Sequence, residues 1–238
     1  MNIYVLVKRV PDTESKIRID HERKIIIEEG LTFVLNPYDE YAVEEALRLK
    51  EDKGGKVTVL SVGSEEAVVV LKKCLAMGAD EAILIKDEKG ETYDGLRTAK
   101  IIAQVLKTKF NDYDLLLFGK QSVGADNSQI PAMVAEFLGL PQVNVVTKLE
   151  IEGDRGLALR EIEGASEKVE FSLPAVISAQ KGLNEPRYET LRGIMMAKRK
   201  EIPVLELKEI GLDSQELESQ LNILNLEYPP PREAGRKI

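Results

Sequence analysis

Four short apolar runs punctuate the first half of the chain: Ile3 to Val7, Val57 to Val62, Ala82 to Ile85 and Leu115 to Phe118. They are rich in Val, Ile and Leu without strict alternation, the pattern of strands covered on both faces, and so predict a buried parallel sheet. Helical periodicities lie between them. Pro37 to Lys53 has Asn36 as N-cap, proline in its first turn, acids Asp39, Glu40, Glu44 and Glu45 early, and Arg48, Lys50 and Lys53 late. That order matches the helix dipole, and Ala42, Val43, Ala46, Leu47 and Leu49 supply the apolar stripe. Further helices are predicted over Ser64 to Met77, capped by Ser64 and stopped by Gly78, and over Gly95 to Phe110, capped by Asp94. A fourth runs from near Ser128 to Leu138 and is stopped by Gly139. Strand and helix alternate, which makes the fold class α/β with a doubly wound, mostly parallel sheet.

Two segments break that rhythm. Residues 16–33 read as an inserted hairpin. From Val143 onward the runs VNVVTKLEI, GLALREIEG, EKVEFSL and AVISA read as a meander of antiparallel strands, turned at Glu152-Gly153-Asp154 and Glu163-Gly164. The tail from Asp213 combines one short helical pattern with a proline run, Pro229 to Pro231. It cannot close a core of its own and is expected to be an extended C-terminal arm lying on a partner. The expected organisation is one α/β nucleotide-binding domain over residues 1–205 and an arm over 206–238.

Composition narrows the chemistry. Lys and Arg number 33 against 41 Asp and Glu, a net charge of -8, which argues against a broad nucleic-acid footprint. One cysteine, Cys74, and one histidine, His21, leave almost no raw material for zinc sites or histidine catalysis; Cys74 reads as a buried small hydrophobe and His21 as a solvated hairpin residue. No apolar stretch approaches the ~20 residues that span a bilayer, and MNIYVLVKRV lacks the layout of a signal peptide, so a cytoplasmic protein without membrane insertion is expected.

In doubly wound sheets ligands bind beyond the carboxyl ends of the strands. Three segments fall there: Val7 to Val10, Val62-Gly63, and Gly119 to Ile130. The last, GKQSVGADNSQI, is followed by Pro131, which sits comfortably in a first helical turn. Its small residues, Gly119, Ser122, Gly124, Ala125 and Ser128, let a ligand approach the backbone, and the free first-turn amides form an anion site to which Ser128 and Gln129 can add contacts. An ordinary capped-helix loop would have the same composition. The segment is neither a Walker loop nor a GxGxxG motif.

Several long blocks then fall into a familiar order: VKRVPDT (Val7 to Thr13), NPYDEYAVEEALRLKE (Asn36 to Glu51), AMGAD (Ala76 to Asp80), GKQ with its loop, LPAVISA (Leu173 to Ala179) and LNEPRYETLRGIMMAKRK (Leu183 to Lys200). Over almost its whole length the chain resembles electron-transfer flavoprotein beta subunits. REIEGASEKVEFSLPAVIS resembles the family's signature segment, with Ala165 where an acid or glycine is usual.

The resemblance implies a heterodimer with an alpha subunit that holds most of a redox-active FAD. It also implies a nucleotide on this chain, AMP in the housekeeping type or a second FAD in the bifurcating type. The site carried over comprises Leu6, Asn36, Pro37, Tyr38, Asp39, Val62, Gly119, Lys120, Gln121, Ser122, Val123, Gly124, Ala125, Asp126, Asn127, Ser128, Gln129 and Ile130. Ser128-Gln129-Ile130-Pro131 departs from the usual loop of both types, with AMP the favoured ligand. Thr13 and Tyr38 match positions near the partner's flavin; Tyr38 also reads as an aromatic packed at a helix start. Residues 188–200 match the family's recognition loop, whose anchoring leucine is Leu191 here; the same residues read as an amphipathic helix with Leu191, Ile194 and Met195 packed inward.

The implied function is electron carriage without bond-making on this chain: electrons from acyl-CoA or other flavin dehydrogenases pass through FAD to a quinone oxidoreductase or another acceptor. The rival readings are a stress-type regulatory α/β protein that binds ATP or AMP without flavin, and an adenylate-forming enzyme. The latter would want a Ser/Gly-rich loop where VKRVPDT stands.

Overall fold

The computed structural model describes residues 1–22, 24–87, 94–212 and 217–230. In chain order the elements are β1 (Asn2–Leu6), β2 (Arg9–Pro11), β3 (Arg18–Asp20), β4 (Ile25–Ile27), β5 (Phe33–Leu35), α1 (Pro37–Lys53), β6 (Lys56–Gly63), α2 (Val68–Met77), β7 (Glu81–Lys86), α3 (Gly95–Thr108), β8 (Leu115–Gly119) and α4 (Ile130–Leu138). There follow β9 (Gln142–Glu152), β10 (Arg155–Ile162), β11 (Ala165–Ser172), β12 (Ala175–Ala179), α5 (Leu191–Arg199) and β13 (Val204–Glu206), with 3-10 turns at Glu65–Ala67 and Leu207–Ile210.

Nine strands form the main sheet in the order β11-β10-β9-β12-β8-β1-β6-β7-β13. From β9 to β13 every pairing is parallel; β10 and β11 add an antiparallel hairpin at one edge. The chain winds outward from β1 through β6 to β7, then crosses back to place β8 on the other side of β1. The crevice between the carboxyl ends of β1 and β8 is therefore the topological switch point, where doubly wound folds bind ligands.

Helices cover both faces. The core side chains of α1, α2 and α5 pack on one face with Val5, Val59 and Leu117. Those of α3 and α4 pack on the other with Leu6, Leu60 and Phe118. Strands buried on both faces need no alternation, which is why β8 and β12 have every residue buried.

The helix and strand readings hold, with three physical corrections. AVISA is not antiparallel: as β12 it is buried throughout and inserts between β8 and β9, parallel to both. Asn36 and Ser64 stand at helix starts but make no capping bond, and the helix after Ser64 opens with the 3-10 turn before α2. The start of α4 moves from Ser128 to Ile130, because Ser128 adopts a left-handed φ of 51° and its hydroxyl turns back to Gln121. Asp94 does cap α3, accepting from the N–H groups of Leu96 and Arg97.

β3 and β4 form the inserted hairpin, and β2 pairs with β5 beneath it, the Arg9 guanidinium lying 3.4 Å from the Phe33 ring centre. His21 is exposed there and meets Tyr228 edge-on, with ring centres 6.2 Å apart. Val145 adopts a φ of 64°, unusual for a β-branched residue, in an irregularity of the β9–β12 pairing; the Ser178 hydroxyl accepts its N–H at 3.0 Å.

The last strand, β13, lies across the expected division at residue 205 and pairs with β7. Of the expected arm, 213–216 and 231–238 are outside the described residues; 218–230 contain no helix or strand. This segment is tied to the domain at three points. Arg97 donates to the Leu217 carbonyl, Gln220 N–H reaches the Asp94 carboxylate at 3.0 Å, and Ile19 N–H reaches the Tyr228 hydroxyl at 3.0 Å. Between the last two, Leu221, Ile223 and Leu224 are exposed apolar side chains. Among the described residues no helix is long and apolar enough to cross a membrane.

Candidate functional site

A cleft opens at the switch point, enclosing about 920 Å³ including the open solvent at its mouth. Its floor is apolar: Leu6 of β1, Leu60 and Val62 of β6, Phe118 of β8 and Ile102 of α3. Its rim is polar: Lys8 after β1, Asn36 and Asp39 at the start of α1, Asp94, Gly95 and Thr98 at the start of α3, and the loop after β8.

Of the residues expected from sequence, Leu6, Asn36, Asp39, Val62, Gly119, Lys120, Gln121, Ser122, Ala125, Asn127, Ser128, Gln129 and Ile130 line this cleft. Pro37, Tyr38, Val123, Gly124 and Asp126 do not. Tyr38 is half-buried, with the Lys120 ammonium 5.6 Å from its ring centre, and Thr13 is exposed in a turn with Asp12. Sequence reasoning missed Asp94, Gly95 and Thr98, although the same strand-end rule applied to the β7–α3 connection would have found them. Leu60 and Phe118 sit just behind the rim on strands already identified.

What shapes the site is a clamp centred on Asp39. Its carboxylate accepts the N–H of Lys8 at 2.7 Å, the N–H of Gly119 at 3.2 Å and the Asn36 amide at 2.9 Å. It thereby ties the exits of β1 and β8 to the first turn of α1. Asn36 extends the clamp into the loop, donating to the Gln121 carbonyl at 2.9 Å and accepting the Val123 N–H at 3.1 Å. Its side chain braces the loop after β8 rather than capping its own helix.

Further out, Gln121 donates to Asp126 at 2.6 Å and accepts from the Ser128 hydroxyl at 3.0 Å. Gly124, Asp126 and Ser128 all have positive φ. Left-handed conformations at two non-glycine residues are uncommon and concentrate where a loop is shaped around a function.

Burial pushes the Asp39 carboxyl up to about 7, against the opposing pull of the Asn36, Lys8 and Gly119 donors. A raised carboxyl pKa means that the folded chain binds this proton more tightly than the unfolded chain does. Its contribution is full below the ordinary carboxyl value of 3.8 and is lost as pH rises through about 7. Asp39→Asn should abolish that slope, which amounts to a few kcal/mol. It should also lower stability by about 1–3 kcal/mol at neutral pH, because its amide would face the Lys8 N–H donor to donor. Thermal melts from pH 4 to 8 on both proteins check this: the wild-type midpoint falls across the window while the variant's difference from it narrows.

The two helix N-termini at the cleft differ. The positive end of α3 is already answered by the Asp94 carboxylate; burial works to raise that group, but donors from Gln220, Arg97, Ser219 and Leu96 outweigh it and hold it below the usual range. The first turn of α4 carries no acid and no side-chain cap, and Pro131 contributes no N–H. That helix end is the one suited to a ligand anion. The two ends nearly touch, since a Cβ on Gly95 would lie 3.2 Å from Gln129 Oε1.

A second feature lies on α5. Leu191 is 84% exposed, Tyr188 94%, and Met195 and Met196 are exposed too, while Ile194 and Ala197 pack inward. The reading with Leu191 and Met195 packed inward is therefore overturned; the helix keeps only a narrow apolar seam against α2. Arg192, Lys198 and Arg199 are exposed on the same helix, and Lys200 just beyond it donates to the Asp80 carbonyl.

The profile of the electron transfer flavoprotein domain matches residues 24–210. The chain is 41% identical to the electron transfer flavoprotein subunit beta of Bacillus subtilis, over all of this chain and 91% of that protein. It is 43% identical to that of Thermoanaerobacterium thermosaccharolyticum, over 91% of this chain and 83% of the relative. With the human subunit beta the identity is 39%, over all of this chain and 92% of the relative. The chain belongs to the electron-transfer flavoprotein family, among its beta subunits.

Proposed function

We propose that this chain pairs with an alpha subunit to form an FAD-containing electron carrier, and that its own cleft holds AMP. The observation that carries the second part is the conjunction of an apolar floor with an α4 first turn free of acids and caps, at the switch point of the sheet. A flat base suits the floor formed by Leu6, Leu60, Val62, Ile102 and Phe118, and a phosphate suits the uncapped, acid-free first turn of α4. Lys8, Ser122 and Ser128 add polar groups at the rim. The donor set thus fits a nucleotide monophosphate.

FAD, held mainly by the alpha subunit, supplies the redox chemistry when bound. This chain's residues contribute by scaffolding: Asp39 and Asn36 hold the nucleotide loop, and Thr13 and Tyr38 lie on the surface offered to the partner's flavin. Leu191, exposed within a basic rim, serves as the anchor that docks on acyl-CoA or other flavin dehydrogenases, an apolar side chain surrounded by charge. Electrons leave toward a quinone oxidoreductase or another acceptor. The exposed Leu221, Ile223 and Leu224 belong to an arm that lies against the alpha subunit.

Co-expression with the alpha subunit tests the pairing. A yellow heterodimer with flavin absorbance is the expected product. A colourless homodimer that retains ATP would establish the regulatory reading instead.

A further inference from the structure

Leu191 follows a strap that is anchored from both sides. Residues 180–190 contain no helix or strand, yet their course is fixed. Arg187 spreads its guanidinium over Glu44 and Glu51, which are seven residues apart and so share one face of α1. Its Nε donates to Glu44 Oε2 at 2.8 Å, its Nη2 to Glu44 Oε1 at 3.1 Å, and Nη1 and Nη2 reach the two Glu51 oxygens at 2.5 and 3.1 Å. The Arg187 N–H also donates to Glu44, at 3.1 Å.

Three residues earlier, the Asn184 amide donates to the Tyr41 carbonyl at 3.0 Å and to Glu45 at 2.8 Å. Pro186, between these anchors, fixes its own φ. Beyond Leu191 the support passes to α2. Gly193 crosses it so closely that a Cβ would lie 2.2 Å from the Ala76 carbonyl oxygen. Lys72 closes the end of α5 by donating to the Ala197 carbonyl at 2.8 Å and to the Lys198 and Lys200 carbonyls.

Within residues 180–190 Leu183 is the one side chain packed against the core. Immediately after Arg187 the chain presents Tyr188 and then Leu191, the two most exposed large apolar side chains of the described residues. What the clasp determines is where Leu191 stands relative to α1. A planar, bidentate fork loses little freedom per bond formed, so it suits a fixed presentation better than a lysine would. We infer that Arg187 is a positioning residue for docking: it preorganises the strap so that Leu191 meets an apolar socket on the donor dehydrogenase without an ordering cost at each encounter. The inference rests on the reading of Leu191 as the docking anchor.

The test uses the FAD-loaded heterodimer and an acyl-CoA dehydrogenase reduced by its own substrate, with KM for the carrier and kcat measured separately. Arg187→Met is expected to raise KM roughly tenfold with kcat within about twofold of wild type, a split characteristic of lost preorganisation. Arg187→Lys should recover part of the loss, and bound nucleotide should stay stoichiometric. Glu51→Gln loosens one half of the clasp at an exposed position and should raise KM about threefold, keeping the test open if Arg187→Met folds poorly. Leu191→Ala separates the two claims. If it raises KM while the Arg187 and Glu51 variants do not, the positioning role is wrong and the docking anchor stands. If none raises KM, the anchor itself is wrong and the positioning role falls with it. A fall in kcat together with nucleotide loss in Arg187→Met would show a merely structural residue and overturn the inference.

Discussion

Gly119→Ala is expected to empty the cleft of its proposed nucleotide and to destabilise the protein by about 2–4 kcal/mol, at the upper end of what overpacking costs. The added Cβ would lie 2.2 Å from Asp39 Oδ1 and 2.7 Å from both the Asp39 nitrogen and the Tyr38 carbonyl carbon. Two of those three atoms are backbone at the first turn of α1, which cannot step aside. The methyl group would drive β8 from α1 and break the Gly119 N–H bond to Asp39, loosening the clamp that fixes the loop. Gly124→Ala is the informative comparison. Nothing lies within 4 Å of a Cβ there, but φ is +93°, so its cost is conformational and nearer ~1 kcal/mol. Nucleotide content after purification and thermal midpoints distinguish the two: Gly119→Ala should lose both ligand and stability, Gly124→Ala a little stability only.

Arg97→Ala should cost about 3–5 kcal/mol, the usual penalty for removing one partner of a buried ion pair. In a chain of this size that lowers the thermal midpoint by ~2–4 °C per kcal/mol. The side chains of Arg97 and Asp87 are only 4% and 3% exposed and meet through two bonds, Nε to Oδ2 at 2.8 Å and Nη2 to Oδ1 at 2.7 Å. The same guanidinium donates to the Leu217 carbonyl, and Leu217 is itself buried against α3. Arg97 thus joins the end of β7, the helix beside the cleft and the start of the terminal segment. Hydrogen exchange should show residues 217–220 losing protection in Arg97→Ala, while Arg97→Lys, which keeps the charge but not the fork, should fall between. Unchanged protection in Arg97→Ala would mean that the segment is held by the burial of Leu217 and by the Ser219 and Gln220 bonds to Asp94, without Arg97.

The legibility of this fold follows from how local each determinant is. The range of α1 is readable to the residue because proline, early acids, late bases and the apolar stripe all lie within it. β8 announces itself by five consecutive buried apolar residues bounded by polar ones. AVISA shows the same signature, but its position directly after an antiparallel hairpin suggested continued antiparallel pairing; its true place between β8 and β9 depends on partners 33 and more residues away.

The cleft was legible for the same reason as the strands, since the switch-point rule turns strand order into a location. Its clamp was not. The bonds from Asn36 to Gln121 and Val123 span 85 and 87 residues, and that from Gly119 to Asp39 spans 80. Read locally, Asn36 is a helix cap; the side chain is used elsewhere because the loop after β8 arrives within its reach. Ser128 illustrates the converse, a good capping residue drawn away from its helix by Gln121. The strap illustrates a third case: helical periodicity alone packs Leu191 inward, whereas α5 turns Ile194 and Ala197 to the core, with Gly193 set close against Ala76 of α2, a neighbour more than a hundred residues away in the chain.

Denaturing the purified heterodimer and identifying its released nucleotides by mass tests whether the switch-point cleft of this beta subunit holds AMP beside an FAD-bearing partner. One FAD and one AMP per heterodimer are predicted, with the AMP lost in Gly119→Ala and the FAD retained. Two FAD molecules per heterodimer, or no adenine nucleotide besides a single FAD, would contradict it.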